Sequence, residues 1–292
     1  MSLLDLAAAR VYFDALYEIS PTLKAEAGLA GTFLRSGDVM VDGVEADPIS
    51  IERTEPRLGL AWQPVAGQWL RAGYFRESGA FSSASLAPVG VVGLQSNQLP
   101  LAVTGYADTF AARWDSEWTD RLFTSVDFQH QDFEELNIPN GGGAAADVEE
   151  GALDRLSATA NYHLGAGWGL FGTVVYTDSE GENDPDSTGA GGYEGALPFV
   201  PEWSGRLGFT YVSPVNLKVT LAATYVGERT GDLGGSNLSD YWTADAFLTW
   251  EPFDKRFALE LAGYNLLDEK FEVATSTPGW GRSVVGSLKV RF

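Results

Sequence analysis

Asn216-Leu217-Lys218-Val219-Thr220-Leu221-Ala222-Ala223-Thr224-Tyr225 sorts its side chains two ways. Leu217, Val219, Leu221, Ala223 and Tyr225 fall on one side of an extended chain and Lys218, Thr220, Ala222 and Thr224 on the other, because successive side chains of a strand point to opposite faces. The period of two recurs at residues 155–164, where Leu156, Ala158, Ala160, Tyr162 and Leu164 oppose Arg155, Ser157, Thr159, Asn161 and His163. It returns in Trp203, Gly205, Leu207, Phe209 and Tyr211 against Ser204, Arg206, Gly208 and Thr210. The chain ends on it, with Val284, Gly286, Leu288, Val290 and Phe292 against Ser283, Val285, Ser287, Lys289 and Arg291. An amphipathic helix needs apolar residues three and four apart, so these segments are strands.

Working outward, the connections alternate in length. Tight turns are expected at Ser20-Pro21-Thr22, Val65-Ala66-Gly67, Thr119-Asp120, Gly165-Ala166-Gly167, Ser213-Pro214-Val215-Asn216 and Pro252-Phe253-Asp254. Long acidic or glycine-rich segments lie between them, near 36–50, 79–105, 138–150, 178–200, 230–238 and 267–279. This divides the chain into thirteen predicted strands: 8–19, 22–35, 51–64, 67–78, 106–119, 121–137, 151–164, 167–179, 200–213, 216–229, 238–251, 255–267 and 280–292. Short turns at one rim and long loops at the other are the plan of a bacterial outer-membrane barrel. The expected fold is all-β, a transmembrane antiparallel up-and-down β-barrel, with residues 1–292 one barrel domain.

Composition agrees. The hydrophobic content is 45%, yet no apolar run approaches the ~18 residues of a transmembrane helix, and lipid admits only helices and closed sheets. Alternation alone does not separate a barrel from a soluble sandwich, whose apolar face points inward; a soluble β-rich binding or structural protein is the competing reading. The aromatics favour the membrane. Tyr17, Trp62, Trp69, Trp114, Trp118, Trp168, Trp203, Tyr211, Trp242 and Trp250 gather towards strand ends, as in the girdles that mark a bilayer interface.

The net charge of −21 argues against nucleic acid as a partner. Much of the acid falls in expected loops: Asp38, Asp42, Glu45 and Asp47; Asp147, Glu149 and Glu150; Asp178, Glu180, Glu182, Asp184 and Asp186. Such a rim suits divalent cations beside lipopolysaccharide, and the last five residues are the candidate cation loop. That run lacks the ligand order and glycine of an EF-hand, and a solvated external loop is the simpler reading of it. Cysteine is absent, so there is no disulfide or thiolate metal site.

Short turns of such barrels face the periplasm. The last strand then runs inward and sets Phe292 at the periplasmic rim, as a C-terminal signal for the barrel-assembly machinery. Traced back through thirteen strands, the first also runs inward. A complete barrel has an even number, so at least one upstream strand is expected, and the chain reads as the C-terminal portion of a larger barrel. Met1-Ser2-Leu3-Leu4-Asp5 has no basic segment or cleavage site of a signal peptide.

Pro201-Glu202-Trp203 through Phe292 resembles the end of the barrel in TonB-dependent outer-membrane receptors. Leu238-Ser239-Asp240-Tyr241-Trp242-Thr243-Ala244-Asp245-Ala246, Tyr264-Asn265-Leu266-Leu267-Asp268-Glu269-Lys270-Phe271 and the aromatic C-terminus carry the likeness. The resemblance implies a Gram-negative outer-membrane barrel for energised uptake of large ligands such as metal chelates, vitamins or saccharides, and a link to the TonB system. The chain contains no plug domain or TonB box. Its middle, Pro56-Arg57-Leu58-Gly59-Leu60-Ala61-Trp62 through Trp118-Thr119-Asp120-Arg121-Leu122-Phe123, is similar to barrels behind tetratricopeptide repeats. That gives a second expectation, a porin or polysaccharide-export barrel attached to periplasmic repeats.

Periodicity assigns Arg57, Arg71, Arg113, Asp115, Asp127, Arg155, Arg206, Lys218, Asp245, Arg256, Glu260, Lys289 and Arg291 to the lumen-facing side. A hydrated or plug-filled lumen accommodates these charges; a dry core would not. No catalytic or cofactor-binding constellation emerges. Ser125 and His130, five apart, fall on opposite faces of one strand. The segment Gly79–Gly105 contains no Asp, Glu, Lys or Arg and includes Leu86, Pro88, Val89, Val91, Val92 and Leu94. Folding over or into the barrel mouth is one expectation for it, packing among rim loops the other.

Overall fold

A computed structural model of the chain describes residues 6–37, 39–41, 44–46, 48–81, 90–139, 145–183, 193–232, 235–252 and 256–290. Thirteen strands build one antiparallel sheet: β1 (Leu6–Ser20), β2 (Leu23–Ser36), β3 (Ser50–Trp62), β4 (Gln68–Ser78), β5 (Leu101–Thr119), β6 (Leu122–Pro139), β7 (Ala145–Gly165), β8 (Trp168–Asn183), β9 (Trp203–Ser213), β10 (Leu217–Val226), β11 (Tyr241–Trp250), β12 (Phe257–Tyr264) and β13 (Ser283–Val290). Spatial order follows chain order, the meander of a barrel wall. A short strand, Tyr193–Gly195, pairs with the end of β8. Among the described residues β1 and β13 are not paired with one another.

The short turns follow local chemistry. Ala166 and Gly167 both have positive φ, 51° and 85°, as a two-residue hairpin turn of the mirror-image type requires. Asn216, at φ 57°, ends the turn after β9, a position Asn tolerates better than most residues.

The opposite rim differs from expectation. β6 and β7 continue to Pro139 and from Ala145, so most of the expected loop 138–150 is strand. Phe133, Leu136, Ile138, Val148, Leu153 and Leu197 pack into a small apolar core there, which supports the extension. Two-stranded hairpins also occupy the rim: Val39–Val41 with Val44–Ala46, Arg229–Thr230 with Asn237–Leu238, and Glu272–Ala274 with Thr277–Pro278.

One face of the sheet is apolar and open. Leu58, Leu60, Leu70, Phe110, Val126, Leu156, Leu170, Val174, Leu207, Leu221 and Leu261 are all exposed on it. Aromatic rings bound this belt on both sides. Trp168 and Tyr176 on β8, Trp203 and Tyr211 on β9, and Trp242 and Trp250 on β11 are each eight residues apart. Trp168 packs on Tyr211 at 4.6 Å, Tyr176 on Trp203 at 5.0 Å and Tyr225 on Trp242 at 4.9 Å. Eight residues rise about 26 Å along a strand. At a tilt of ~35–45° that is about 18–21 Å of height before the rings themselves, close to the ~25 Å apolar band of a membrane barrel. Trp69 is a correction to the girdle: it lies on the other face, with Arg71 over its ring at 5.6 Å.

Candidate functional site: the polar face

The register carries one face through the whole sheet. Lys24, Ala61, Arg71, Arg113, Asp127 and Ser157 are consecutive cross-strand neighbours from β2 to β7. Arg206, Thr224 and Thr243 continue the pattern on β9 to β11, and Thr249, Glu260 and Ser287 on β11 to β13. Arg57, Asp115, Arg155, Lys218, Asp245 and Lys289 share this face by parity. Arg256 does not: β12 begins only at Phe257, so Arg256 stands exposed in the turn before it, outside any strand. Arg291 and Phe292 lie outside the described residues.

Most of these charges are paired across strands. Arg10 of β1 binds Glu55 of β3, whose other oxygen accepts the Thr32 hydroxyl at 2.7 Å. Asp14 pairs with Arg57 at 3.3 Å over Gly28, where a Cβ would lie 2.5 Å from the Asp14 carboxylate. Arg155 reaches Asp127 at 3.7 Å, Arg206 reaches Asp245 at 3.4 Å, and Lys289 holds Glu260 at 2.8 Å. Arg71 and Arg113 face each other directly, an arrangement that like charges disfavour. Asp115 resolves it by binding both.

Asp115→Asn is therefore expected to destabilise the sheet by about 1–2 kcal/mol, at the low end for a lost charge partner because Arg113 is partly solvated. Urea unfolding in detergent checks it. Adding Arg113→Gln, which removes the repulsion, should recover part of the loss.

The two stretches that carry the family likeness meet in space. Asp245 accepts the Asn265 backbone N–H at 3.1 Å while pairing with Arg206. Asn265, at φ 45°, donates its amide to the carbonyls of Glu269 and Trp280, both at 3.0 Å, and accepts the Glu269 N–H at 2.9 Å. Asp268, also at positive φ, accepts the Arg282 N–H and faces Lys270. These two contacts hold its carboxyl below the usual carboxylate range. The motif is a clasp that leads the chain from β12 into β13.

Asp178, Glu180 and Glu182 belong to β8, not to a loop, and point to one side of it. Glu182 faces Glu150 across the pair, and that contact raises its carboxyl above the usual range. Asp184 and Asp186 lie outside the described residues, and among the described residues no three His, Cys, Asp or Glu side chains could hold a metal ion. Ser125 and His130 are on opposite faces. His130 sits on the apolar side above the belt, between Asp154 at 2.9 Å and Asp132 at 3.3 Å, whereas His163 is on the polar side.

The polar face also holds a feature that the sequence reading missed. Glu26, Gly59, Gly73, Ala111 and Gln129 form one cross-strand row over β2 to β6, and the segment Gly90–Pro100 lies against it. Each residue comes from a different strand, so no local pattern marks the row.

A family profile described as "TonB dependent receptor-like, beta-barrel" matches residues 5–266. The chain belongs to this family. The match includes the middle segment from Pro56 to Phe123, so the likeness is not confined to the last ninety residues. No curated protein sequence matches the chain. Among solved structures, the siderophore receptor PiuA from Acinetobacter baumannii superposes with TM-score 0.70 at 18% identity, covering 97% of this chain and 43% of PiuA. The ferric citrate transporter FecA in its unliganded form gives 0.71 at 15% identity, over 97% and 44%. The ferric yersiniabactin uptake receptor FyuA from Yersinia pestis gives 0.66 at 15%, over 97% and 45%. The chain thus spans less than half the length of these structures, and at such identities they establish a shared fold.

Proposed function

We propose that the chain forms the wall of a receptor in the bacterial outer membrane that takes up a large solute with energy delivered through TonB, and that the solute is a metal chelate. The observation that carries this reading is the division of faces: an open apolar belt between aromatic girdles backs a continuous face of paired charges. A belt of that extent is far larger than the patches soluble proteins expose, and lipid is the medium that covers it. The opposite face then lines a lumen. Its guanidinium groups at Arg71, Arg113, Arg155 and Arg206 offer donors in the forked geometry that suits carboxylate-rich or catecholate ligands. The similar structures are a siderophore receptor, a ferric citrate transporter and a ferric yersiniabactin uptake receptor, which supports this ligand class.

In this reading the acidic upper rim faces lipopolysaccharide, with divalent cations between the two sets of negative groups. β1 and β13 pair with further strands, since an unpaired edge in lipid costs several kcal/mol for each bare N–H or C=O.

Uptake of radioactive iron by iron-starved cells tests the proposal. Disrupting the gene should abolish uptake of at least one ferric chelate from a panel of citrate, catecholate and hydroxamate complexes, and that uptake should stop when the proton-motive force is dissipated. Unchanged uptake of every chelate would reject the ligand class. Flux that persists without the proton-motive force would indicate a passive porin instead.

A further inference from the structure

The described part of the uncharged segment, Gly90–Pro100, packs on the polar face, and its seat has a definite construction. Glu26, Gly59, Gly73, Ala111 and Gln129 are neighbours in one row across five strands. At about 4.8 Å per strand the row is about 19 Å long. The segment crosses it with five residue steps between Val92 and Asn97, which reach about 17 Å when extended. At one end the Glu26 carboxylate accepts the Val92 N–H at 2.7 Å. At the other, Gln129 donates to the Gln95 carbonyl at 3.0 Å and accepts the Asn97 N–H at 2.8 Å, while Gln131 donates to the Asn97 carbonyl at 3.0 Å. Ser96 donates to Glu77 between the clamps.

The middle of the row is a socket. Val91 and Leu94 pair with each other in a tight turn and are buried with Phe75 and Ala111. Glycine at 59 and 73 makes the room. A Cβ at Gly59 would lie 2.6 Å from Val91 and 2.8 Å from Val92, and one at Gly73 would run into Val91 and press on Leu94. Gly73 is five residues below the end of β4 at Ser78, so the tip descends about 17 Å along the wall from the rim. Gly59 is three residues from Trp62, at the end of β3 nearest a short turn.

We propose that Gly90–Pro100 is an internal strap, docked in a Gly59–Gly73 socket between carboxylate and carboxamide clamps, that narrows the passage along the polar face. The proposal rests on the barrel reading above, because only there does the polar face line a passage. The strap excludes solute from the wall it covers. The residues that hold it are polar and hydrated at the clamps and apolar only at Val91 and Leu94, so it can leave the wall without exposing a large core.

Two readouts separate docking from transport. Both use whole cells expressing the protein, which has no native cysteine. In the first, Leu94→Cys should react with a bulky hydrophilic maleimide at least tenfold more slowly than Gln98→Cys, which is exposed on the same segment. Adding Gly59→Leu, whose side chain needs the space of Val91, should raise the Leu94→Cys rate to that of Gln98→Cys. Equal rates without Gly59→Leu would overturn docking, as would a slow rate that Gly59→Leu does not change. In the second, the pair Gly73→Cys and Val91→Cys should cross-link under mild oxidation, and solute uptake should fall severalfold when locked and recover on reduction. A cross-linked protein with unchanged uptake would overturn the narrowing while leaving the docked strap and the receptor reading in place. Failure to cross-link in barrels that assemble, judged by heat-modifiable migration, would overturn the strap.

Discussion

Glu55→Ala is expected to destabilise the sheet by about 3–5 kcal/mol, the range for removing one partner of a buried ion pair. Glu55 is only 1% exposed, and of the charges on its face Arg57, at 3%, is buried to a similar degree. Its carboxylate binds the Arg10 guanidinium of β1 and the Thr32 hydroxyl of β2, so a single side chain ties three strands. Alanine leaves the Arg10 charge without its counter-ion and the buried Thr32 hydroxyl without its acceptor. The Arg10 Nε is already buried without a hydrogen-bond partner, and the Glu77 carboxylate is a further counter-charge within its electrostatic reach. Glu55→Gln keeps shape and an acceptor for Thr32 but loses the charge, and should cost about half as much. Urea unfolding of the protein in detergent micelles measures both. Loss of stability below about 0.5 kcal/mol for Glu55→Ala would mean that water replaces the carboxylate and that the site is wetter than its geometry indicates.

Leu207→Arg is expected to cost about 2–4 kcal/mol in lipid vesicles, because it places a cation near the middle of the apolar band. Leu207 is midway between Trp203 and Tyr211 on β9, is 58% exposed, and has only Gly172 and Ala223 beside it in the ladder. An exposed leucine on a soluble protein could take the same change within about 0.5 kcal/mol. The size of the effect therefore distinguishes a lipid-facing belt from a wet surface. Leu164→Arg is the control by depth. It lies on the same face next to the Ala166-Gly167 turn, where the cost should fall to about 0–1 kcal/mol. Equal, small costs at both positions in vesicles would place neither in lipid.

The strands were legible because each depends on its own residues. Alternation at 155–164, 203–211 and 217–225 fixes both the strand and its two sides, and all thirteen expected strands occur in the sheet. Their outer ends were misjudged where acidic and glycine-rich composition suggested loops. Residues 145–150 and 178–183 are strand, since pairing and the apolar cluster around Phe133 and Leu197 outweigh local polarity there. Arg256 was misplaced for the converse reason: β12 starts after it.

The charged residues of the polar face were equally readable, but their partners were not. Asp115 is 44 positions from Arg71 and two from Arg113, and no pattern in the sequence joins the three; it matters because β4 and β5 bring Arg71 opposite Arg113. Gly59 and Gly73 looked like ordinary glycines in strands. They become a socket only when the register sets them side by side under Val91.

The sequence by itself determined that this is a wall of amphipathic strands with an apolar side suited to lipid, because side-chain alternation is a property of each strand alone. Tertiary structure decided which charges neutralise one another and where the uncharged segment goes. Those outcomes depend on cross-strand register, which places residues tens of positions apart within 5 Å or so of each other and which no single strand encodes.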